Sequence, residues 1–314
     1  MTDVNEGGMN RRGLVRCMGW AGAGALYTLA GGGLSSIGLD EALAQTPRSA
    51  KTKPFTFLQV SDSHIGFDKA ANPDTRGTFR EAVAKAKALP TKPDFILHTG
   101  DISHLSKDDQ FAEAEAIISE IGLPVFYTPG EHDMLDEGGG KAYLARFGKG
   151  TKGTGWYSFD HRGVHFVALV NVADLKPGGM AHIGEDQLAW LKDDLARLGA
   201  STPVVVFAHI PLWTVYADWG WGTDDSAQAL ALLARFGSVT VLNGHIHQIL
   251  QKTEGNITFH SARSTAYPQP APGAAPSPGP LKVPTEQLPG VLGIRTAAFV
   301  RGDTPIALID SSLA

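Results

Sequence analysis

Five short apolar segments of this chain each end on histidine or acidic residues, and this recurrence constrains the fold more than any other feature of the sequence. Short apolar runs bounded by turn residues are typical of buried strands. In α/β sheets, sites form outside the carboxyl ends of the strands, so the side chains that follow the runs should converge on one edge. In chain order they are Asp62 and His64, Asp101, Glu131 with His132 and Asp133, His209, and His245 with His247.

Segments of helical composition separate several of the apolar runs, and this alternation predicts a layered α/β domain. A turn at residues 161–163 joins two apolar segments into a predicted hairpin, so the sheet should be mixed. The predicted helices cover residues 78–89, 108–121, 184–198 and 226–236. The predicted strands cover residues 55–60, 94–99, 125–128, 156–160, 164–170, 204–208, 239–242, 258–260, 296–300 and 306–309.

Charge and cysteine content exclude several classes of protein. Among 314 residues, 27 Lys and Arg stand against 32 Asp and Glu, and the net charge of −5 gives no basic surface for a nucleic-acid duplex. The single cysteine excludes an intrachain disulfide and any cluster of thiolate ligands. A transition metal bound by this chain therefore needs histidine and carboxylate ligands.

Residues 1–44 differ from the rest of the chain and resemble a twin-arginine signal peptide. The pair Arg11-Arg12 precedes an uncharged stretch, residues 17–39, and Ala42-Leu43-Ala44 matches the pattern that signal peptidase reads. The resemblance implies passage through the twin-arginine export machinery, cleavage near Ala44, a periplasmic mature domain of residues 45–314, and no stable membrane span after cleavage. The alternative is an uncleaved anchor helix, although the stretch contains seven glycines and is only mildly hydrophobic.

The histidine and acidic residues at the five strand ends resemble those of the calcineurin-like metallophosphoesterases, whose pattern reads D-x-H, G-D, G-N-H-[DE], H and G-H-x-H. The resemblance covers about residues 55–250 and implies an αββα sandwich of two mixed β-sheets flanked by helices, with a two-metal centre. The matching residues are Asp62-Ser63-His64, Gly100-Asp101, Gly130-Glu131-His132-Asp133, His209 and Gly244-His245-Ile246-His247.

The resemblance also implies a ligand set for two metal ions that share the Asp101 carboxylate. Two divalent ions held close together need a shared anion to relieve their repulsion. Histidine and carboxylate ligands suit manganese, iron or zinc, without selecting among them. The implied ligands are Asp62, His64, Asp101 and His247 for the first metal, and Asp101, Glu131, His209 and His245 for the second.

The implied reaction is hydrolysis of a small phosphate ester, with a diester or nucleotide favoured, by attack of a hydroxide that bridges the two metals. The resemblance places His132 beside the phosphate, as proton donor to the leaving group or as oxyanion stabiliser. Asp133 either orients the His132 imidazole or caps a helix N-terminus, and the sequence favours neither.

Position 131 departs from the family pattern, because Glu131 stands where the family usually has Asn. Glutamate adds a negative charge to the centre and removes an N–H donor. Three interpretations stay open: selection of a trivalent metal such as ferric iron, preference for singly charged diesters, or weakened and shifted activity. The last one leads to the alternative function, a metal-binding protein on the same scaffold.

Two further segments lie near the predicted site in sequence. The loop after His209 carries Trp213, Trp219 and Trp221, which either bind an aromatic group of the substrate or cover the core or the proline-rich loop. His104 either reaches the pocket or caps the following helix. Residues 268–289 are rich in proline and predict neither helix nor central strand. A solvated insertion loop is the favoured interpretation of this segment, and a semi-rigid flap near the site is the alternative.

Overall fold

The computed structural model describes residues 25–30, 33–38, 54–299 and 307–314. The twin-arginine pair, Cys17 and the predicted cleavage site at Ala44 lie outside these residues. N-terminal to the main domain, strand β1 (Ala25–Ala30) pairs in antiparallel fashion with β2 (Gly33–Gly38). Across the described ranges, none of the helices combines the length and the apolar character needed to cross a membrane.

The first large sheet has five strands in the order β13-β12-β3-β4-β5. Its central strands β3, β4 and β5 are parallel, so their carboxyl ends meet at one edge, while β12 runs antiparallel to both of its neighbours. The strands are β3 (Phe55–Val60), β4 (Phe95–His98), β5 (Val125–Tyr127), β12 (Gly293–Phe299) and β13 (Ala307–Ser312).

The second large sheet has six strands in the order β10-β11-β9-β8-β7-β6. Strands β7, β8, β9 and β11 are parallel, and the two edge strands run antiparallel to them, so this sheet is also mixed. The strands are β6 (Tyr157–His161), β7 (Val164–Ala168), β8 (Val204–Phe207), β9 (Val239–Asn243), β10 (Gln251–Glu254) and β11 (Ile257–Ser261).

Helices cover the outer face of each sheet. The apolar faces of α1 to α3 pack on the five-stranded sheet in one buried cluster, and those of α4 and α5 pack on the six-stranded sheet in another. The helices are α1 (Thr75–Lys87), α2 (Asp108–Ser119), α3 (Lys141–Phe147), α4 (Glu185–Ala196), α5 (Ser226–Leu233) and α6 (Leu288–Val291). Single 3₁₀ turns lie at Glu131–Asp133, Ala217–Trp219 and Thr285–Gln287.

A third buried cluster, rich in phenylalanine, joins the inner faces of the two sheets. Phe57 and Phe95 of the first sheet stack with their ring centroids 5.3 Å apart, and Phe166 of the second sheet meets both rings edge-on. Offset and edge-to-face contacts of this kind fill the space between sheets efficiently. The layers are therefore helix, sheet, sheet and helix, which confirms the αββα sandwich predicted from the sequence.

The structure also differs from the sequence-based prediction at several elements. Strand β10 was missed because Gln251–Glu254 is a polar, exposed edge strand with no apolar signal. The short helix α3 was missed as well. The C-terminal end of the proline-rich segment is helical, contrary to prediction, from Thr285 into α6. Pro289 lies in the first turn of α6, where a backbone N–H has no partner to lose.

Candidate metal centre

The loops that follow β3, β4, β5, β8 and β9 meet at one edge of the sandwich. Backbone bonds link neighbouring loops within each sheet, such as His64 N donating to Asp101 O over 2.9 Å. Other bonds cross between the sheets, among them His245 N donating to Asp62 Oδ1 over 3.1 Å and His209 Nδ1 donating to the Thr99 carbonyl over 2.7 Å. The two sheets are therefore fastened to each other at the edge that carries the candidate ligands.

One set of side chains, the first donor group, consists of Asp62, His64 and His247. Their ligand atoms lie within 4.8 Å of one another. His64 Nε2 lies 3.3 Å from His247 Nε2, which in turn lies 3.2 Å from Asp62 Oδ1. All three side chains are buried, so nitrogen and oxygen donors face one small volume with almost no access to water.

A second donor group consists of Glu131, His209 and His245. Glu131 uses both oxygens, because Oε2 lies 2.9 Å from His209 Nε2 and Oε1 lies 3.0 Å from His245 Nδ1. The glutamate side chain thus reaches into the centre and does not turn away from it. This group is more open, since the Glu131 side chain is 24% exposed.

Asp101 lies between the two donor groups. Its Oδ2 is 3.4 Å from His64 Nε2 in the first group and 3.3 Å from His209 Nε2 in the second. Its other oxygen, Oδ1, accepts a hydrogen bond from the His132 backbone N–H over 2.9 Å. One carboxylate oxygen is therefore equidistant from both groups, while the second is fixed by the backbone.

Several buried donor atoms of the second group are suited to a cation. Glu131 Oε2, His209 Nε2 and His245 Nδ1 have no hydrogen-bond partner among the described residues, although they lie close together. Buried polar atoms without partners are costly and call for a bound group. His209 already donates from Nδ1 to a carbonyl, a contact that leaves Nε2 as the ligand nitrogen. Residues of this chemistry and placement fit a divalent metal ion.

The candidate ligands also carry backbone strain. Five of them have positive φ angles: Asp62 at 53°, His64 at 41°, Asp101 at 51°, His245 at 68° and His247 at 52°. Non-glycine residues seldom occupy the left-handed region, and such strain concentrates at functional sites, where the surrounding structure enforces it. The five conformations aim side chains from tight turns directly after strands into one volume.

Glycines allow this crowding at two turns. At Gly130, which has an ordinary φ, an added Cβ would collide with the Asp101 carboxylate. Gly100 combines a φ of +96° with a Cβ position 2.7 Å from Gly130 N. Any larger residue at these two positions would displace the shared carboxylate or the backbone beside it.

The imidazoles of His132 and His104 stack beside the first donor group, with centroids 4.6 Å apart. His132 Nδ1 donates to the His104 carbonyl over 2.8 Å, and His104 Nδ1 lies 3.4 Å from His64 Nδ1. The residue before α2 is Lys107, which has no side-chain capping bond, so His104 is not a helix cap. It links the His132 loop to a candidate ligand instead.

The hydrogen bonds of the Asp133 carboxylate go to backbone and hydroxyl groups, whereas His132 Nδ1 bonds to the His104 carbonyl. The carboxylate accepts backbone hydrogen bonds from Ile102, Ser103 and Gly130 over 2.8–3.0 Å, and another from the Ser103 hydroxyl. The bond from Gly130 N caps the start of the 3₁₀ turn at Glu131–Asp133, a role similar to the predicted helix cap. Asp133 therefore ties together the loops that carry Asp101 and Glu131.

Charges within the centre hold Asp62 and His209 in ionised forms. Burial opposes ionisation of Asp62, but the neighbouring His247 and His209 lower its pKa to about 2. Burial likewise opposes protonation of His209, but the Asp101 and Glu131 carboxylates raise its pKa well above the usual value. Carboxylates this deeply buried require positive charge beside them, which a metal ion also supplies.

A cavity of about 420 Å³ opens over the second donor group. Trp219 and Trp221 line it, and they also pack in a buried cluster with Ile246 and with Ala275 of the proline-rich segment. Trp213 lies outside the lining, because it packs against the cluster under α4 and α5 and beneath Lys252.

The proline-rich segment also contributes to the lining, while most of residues 271–287 are exposed, so the segment is a largely solvated loop, as favoured, that touches the cavity along part of its length. The wall residues from this segment and its start are Tyr267, Gln269, Pro278, Gly279 and Pro280.

Comparison with known proteins identifies the family. Residues 55–249 match the calcineurin-like phosphoesterases. The chain belongs to this family. Members share a phosphoesterase domain that hydrolyses ester bonds, and the candidate metal centre lies within the matched region. The chain is accordingly a hydrolase, and its His/Asp donor groups agree with the dimetal character of the family.

Individual relatives are distant. A 3′,5′-cyclic adenosine monophosphate phosphodiesterase of Haemophilus influenzae is 27% identical over 61% of this chain and 69% of its own length. One of Pseudomonas aeruginosa is 25% identical over 69% of this chain and 78% of its own length. A dimetal phosphatase of Danio rerio superimposes with a TM-score of 0.58 and 15% identity, covering 82% of this chain and 99% of that one. At 15% identity, the similarity to the Danio rerio structure shows the fold alone.

Proposed function

We propose that this phosphoesterase is an exported two-metal phosphodiesterase that acts on small phosphodiesters or nucleotides. The observation that carries the proposal is the position of Asp101 Oδ2, 3.4 Å from His64 Nε2 and 3.3 Å from His209 Nε2. A carboxylate shared by two donor groups is the feature that two adjacent divalent ions require.

In this proposal the first ion is held by Asp62, His64, Asp101 and His247, and the second by Asp101, Glu131, His209 and His245. When bound, the ions supply Lewis acidity toward the phosphate and an activated water. Manganese, iron and zinc all suit these donors.

His132 lies at the boundary between the donor groups and the cavity. It lines the cavity together with Glu131 and His245, and its Nδ1 donates to the His104 carbonyl. That bond holds the ring and leaves Nε2 as the atom that faces a ligand. We assign to Nε2 the role of protonating the leaving oxygen or of stabilising charge on the phosphate.

The preference for diesters rests on Glu131. Both of its oxygens lie within 3.0 Å of histidine nitrogens of the second group, so its charge acts at the ion nearest the cavity. A third ligand carboxylate lowers the positive charge of the centre, and attraction for a dianionic monoester falls more than attraction for a monoanionic diester. The names of the Haemophilus and Pseudomonas relatives, both cyclic-nucleotide phosphodiesterases, point in the same direction.

Export forms part of the proposal and rests on the sequence of the leader. Arg11-Arg12 and Ala42-Leu43-Ala44 support recognition by the twin-arginine machinery and cleavage after Ala44. Replacing both arginines with lysine should leave the uncleaved precursor in the cytoplasm. Processing and periplasmic recovery of that variant at the wild-type level would show that the leader is of another kind.

The catalytic proposal is tested by the dependence of rate on the leaving group. His132→Ala should lower kcat by about 10²–10⁴-fold for alkyl diesters. Nitrophenyl esters should lose much less, because their leaving oxygen needs little protonation. Metal content, measured in the same samples, should stay at the wild-type level. An equal loss for both ester classes would contradict the proton-donor role, and absence of diester hydrolysis in the metal-loaded wild type would contradict the function.

A further inference from the structure

Three large apolar side chains are strongly exposed in the part of the chain that the structure describes, and each belongs to a loop that carries the cavity or the metal centre. Leu135 is 57% exposed and lines the cavity itself. Leu105 is 45% exposed and directly follows His104, and Leu281 is 41% exposed and directly follows Pro280 of the cavity wall. Single exposed apolar residues are normal on a protein surface, but their concentration around one cavity indicates a binding site.

Hydrogen bonds hold these leucines in place. Leu135 N donates to Ser106 Oγ over 2.7 Å, and Ser106 Oγ donates in turn to the His132 carbonyl over 2.8 Å. Leu281 N donates to the Pro268 carbonyl over 2.8 Å. Leu135 is therefore fixed relative to His132, and its side chain meets solvent in the cavity instead of packing in the core.

The wall of the cavity is largely apolar. Besides the metal centre and the two indoles, the polar side chains among the lining residues are those of Lys176, Tyr267 and Gln269. A nucleobase is recognised through several hydrogen bonds to its edge, whereas an apolar wall with few polar groups favours an apolar ligand. The apolar lining includes Met134, Leu135, Val172, Leu175, Trp219 and Trp221.

We propose that the cavity binds an aliphatic chain of the substrate, so that the preferred substrates are phosphodiesters with an apolar alkyl or acyl group, and that Leu135 selects this chain. The inference rests on the phosphodiesterase proposed above, because Glu131, His132 and His245 belong both to the metal centre and to the cavity lining. A chain that leaves a phosphate held at these residues enters the same cavity. It covers apolar surface that is otherwise exposed to water, and this burial strengthens binding.

Alkyl 4-nitrophenyl phosphates test the inference, because the leaving group stays the same while the chain grows. For the metal-loaded wild type, kcat/KM should rise by about two- to fourfold for each methylene that becomes buried, from the methyl through the butyl to the octyl ester. The octyl ester is used below its critical micelle concentration. An ester with an ether chain of the same length should react much more slowly than the octyl ester, since its oxygens lose water on entering the cavity.

Variants of Leu135 connect the effect of chain length to the cavity. Leu135→Ser should reduce the rise in kcat/KM with chain length, whereas Leu135→Met keeps an apolar side chain of similar size and should retain the rise. Leu232→Ser is the matched control, because it makes the same change at a half-buried position on α5 outside the cavity lining. The control should show the full dependence on chain length.

A wild type whose kcat/KM is the same for all three alkyl esters would overturn the inference, and so would a rise that Leu135→Ser leaves unchanged. If the wild type shows no rise but binds phospholipid vesicles and Leu135→Ser does not, the leucines dock the protein on a membrane and the inference is wrong. The wild-type comparison of alkyl and ether chains needs no variant, so it decides the question even where a variant folds poorly.

The same experiment separates this inference from the proposed function. Hydrolysis of the methyl ester without any effect of chain length would leave the phosphodiesterase in place and remove the chain site. Failure to hydrolyse any of the esters would contradict the phosphodiesterase. In that case the dissociation constants of methyl and octyl phosphate, measured by calorimetry on the metal-loaded protein, still test the chain site: tighter binding of octyl phosphate supports it and equal binding overturns it.

Discussion

The two donor groups lie at the same edge of the sandwich but meet the solvent differently. In the first group, the side chains of Asp62, His64 and His247 are at most 1% exposed. In the second, Glu131 is 24% and His245 is 11% exposed. The difference arises above the strand ends, where Tyr267 covers the first group while the cavity opens over the second.

This asymmetry indicates a division of roles. A covered ion is shielded from water and from exchange, and it can tune the charge of the centre. An ion beside the cavity can meet the phosphate and the water that attacks it. We infer that substrate enters at the second group, and that the first group acts through the shared Asp101.

The largest effect should come from removing the carboxylate that both groups share. Asp101→Asn should abolish stable metal binding at both groups and lower diester hydrolysis by more than about 10²-fold. Changes at residues that only hydrogen-bond to metal ligands typically cost up to that amount. Elemental analysis and kcat/KM on the same sample measure this. Asp193→Asn, an exposed position on α4, is the control. A variant of Asp101 with two ions and normal turnover would remove the basis for treating the groups as one centre.

Gly130→Ala should disturb the same carboxylate without removing it. The added methyl group meets the Asp101 side chain, and overpacking of this kind costs about 1–3 kcal/mol. We expect a lower melting temperature and reduced metal content in both groups. Gly290→Ala is a matched control, because no described atom lies within 4 Å of its added Cβ. Equal behaviour of the two variants would argue against crowding around Asp101.

Chelation should separate the groups in time. Because the second group faces the cavity, its ion should leave first, followed slowly by the ion beneath Tyr267. Metal release into a coloured chelator should have two phases of one equivalent each, and activity should disappear with the first phase. A single phase, or activity that survives the first, would contradict the difference in access.

A smaller effect should appear at the cavity wall over the second group. Trp219→Ala should raise KM for a nitrophenyl diester by about tenfold, since stacking of an aromatic group contributes about 1–3 kcal/mol. Trp213→Ala removes an indole from the same loop but from a position outside the cavity, and KM should stay unchanged. A similar rise in both variants would mean that the loop as a whole, and no specific contact, is responsible.

The sequence predicted the strand ends and their convergence, because each short apolar run that forms a buried strand is followed directly by histidine or acidic residues. It did not separate Trp219 from Trp213, because the left-handed turn at Gly220 and the bridge between Tyr216 and Trp221 decide which indole faces the cavity. It assigned nothing to Tyr267, whose position depends on the path of a long segment after β11. The contacts of Asp133 could not be predicted either, because the sequence pattern is the same whether the carboxylate caps a helix or orients the imidazole.

The central claim is that two ions share Asp101 at this edge of the sandwich. Anomalous X-ray scattering from crystals of the protein, purified with its own metals, tests it most directly. The account predicts two peaks about 3.5–4 Å apart. One should lie among Asp62, His64 and His247, the other among Glu131, His209 and His245, with an Asp101 oxygen between them. A single peak at full occupancy, or two peaks without a shared Asp101 oxygen, would contradict it.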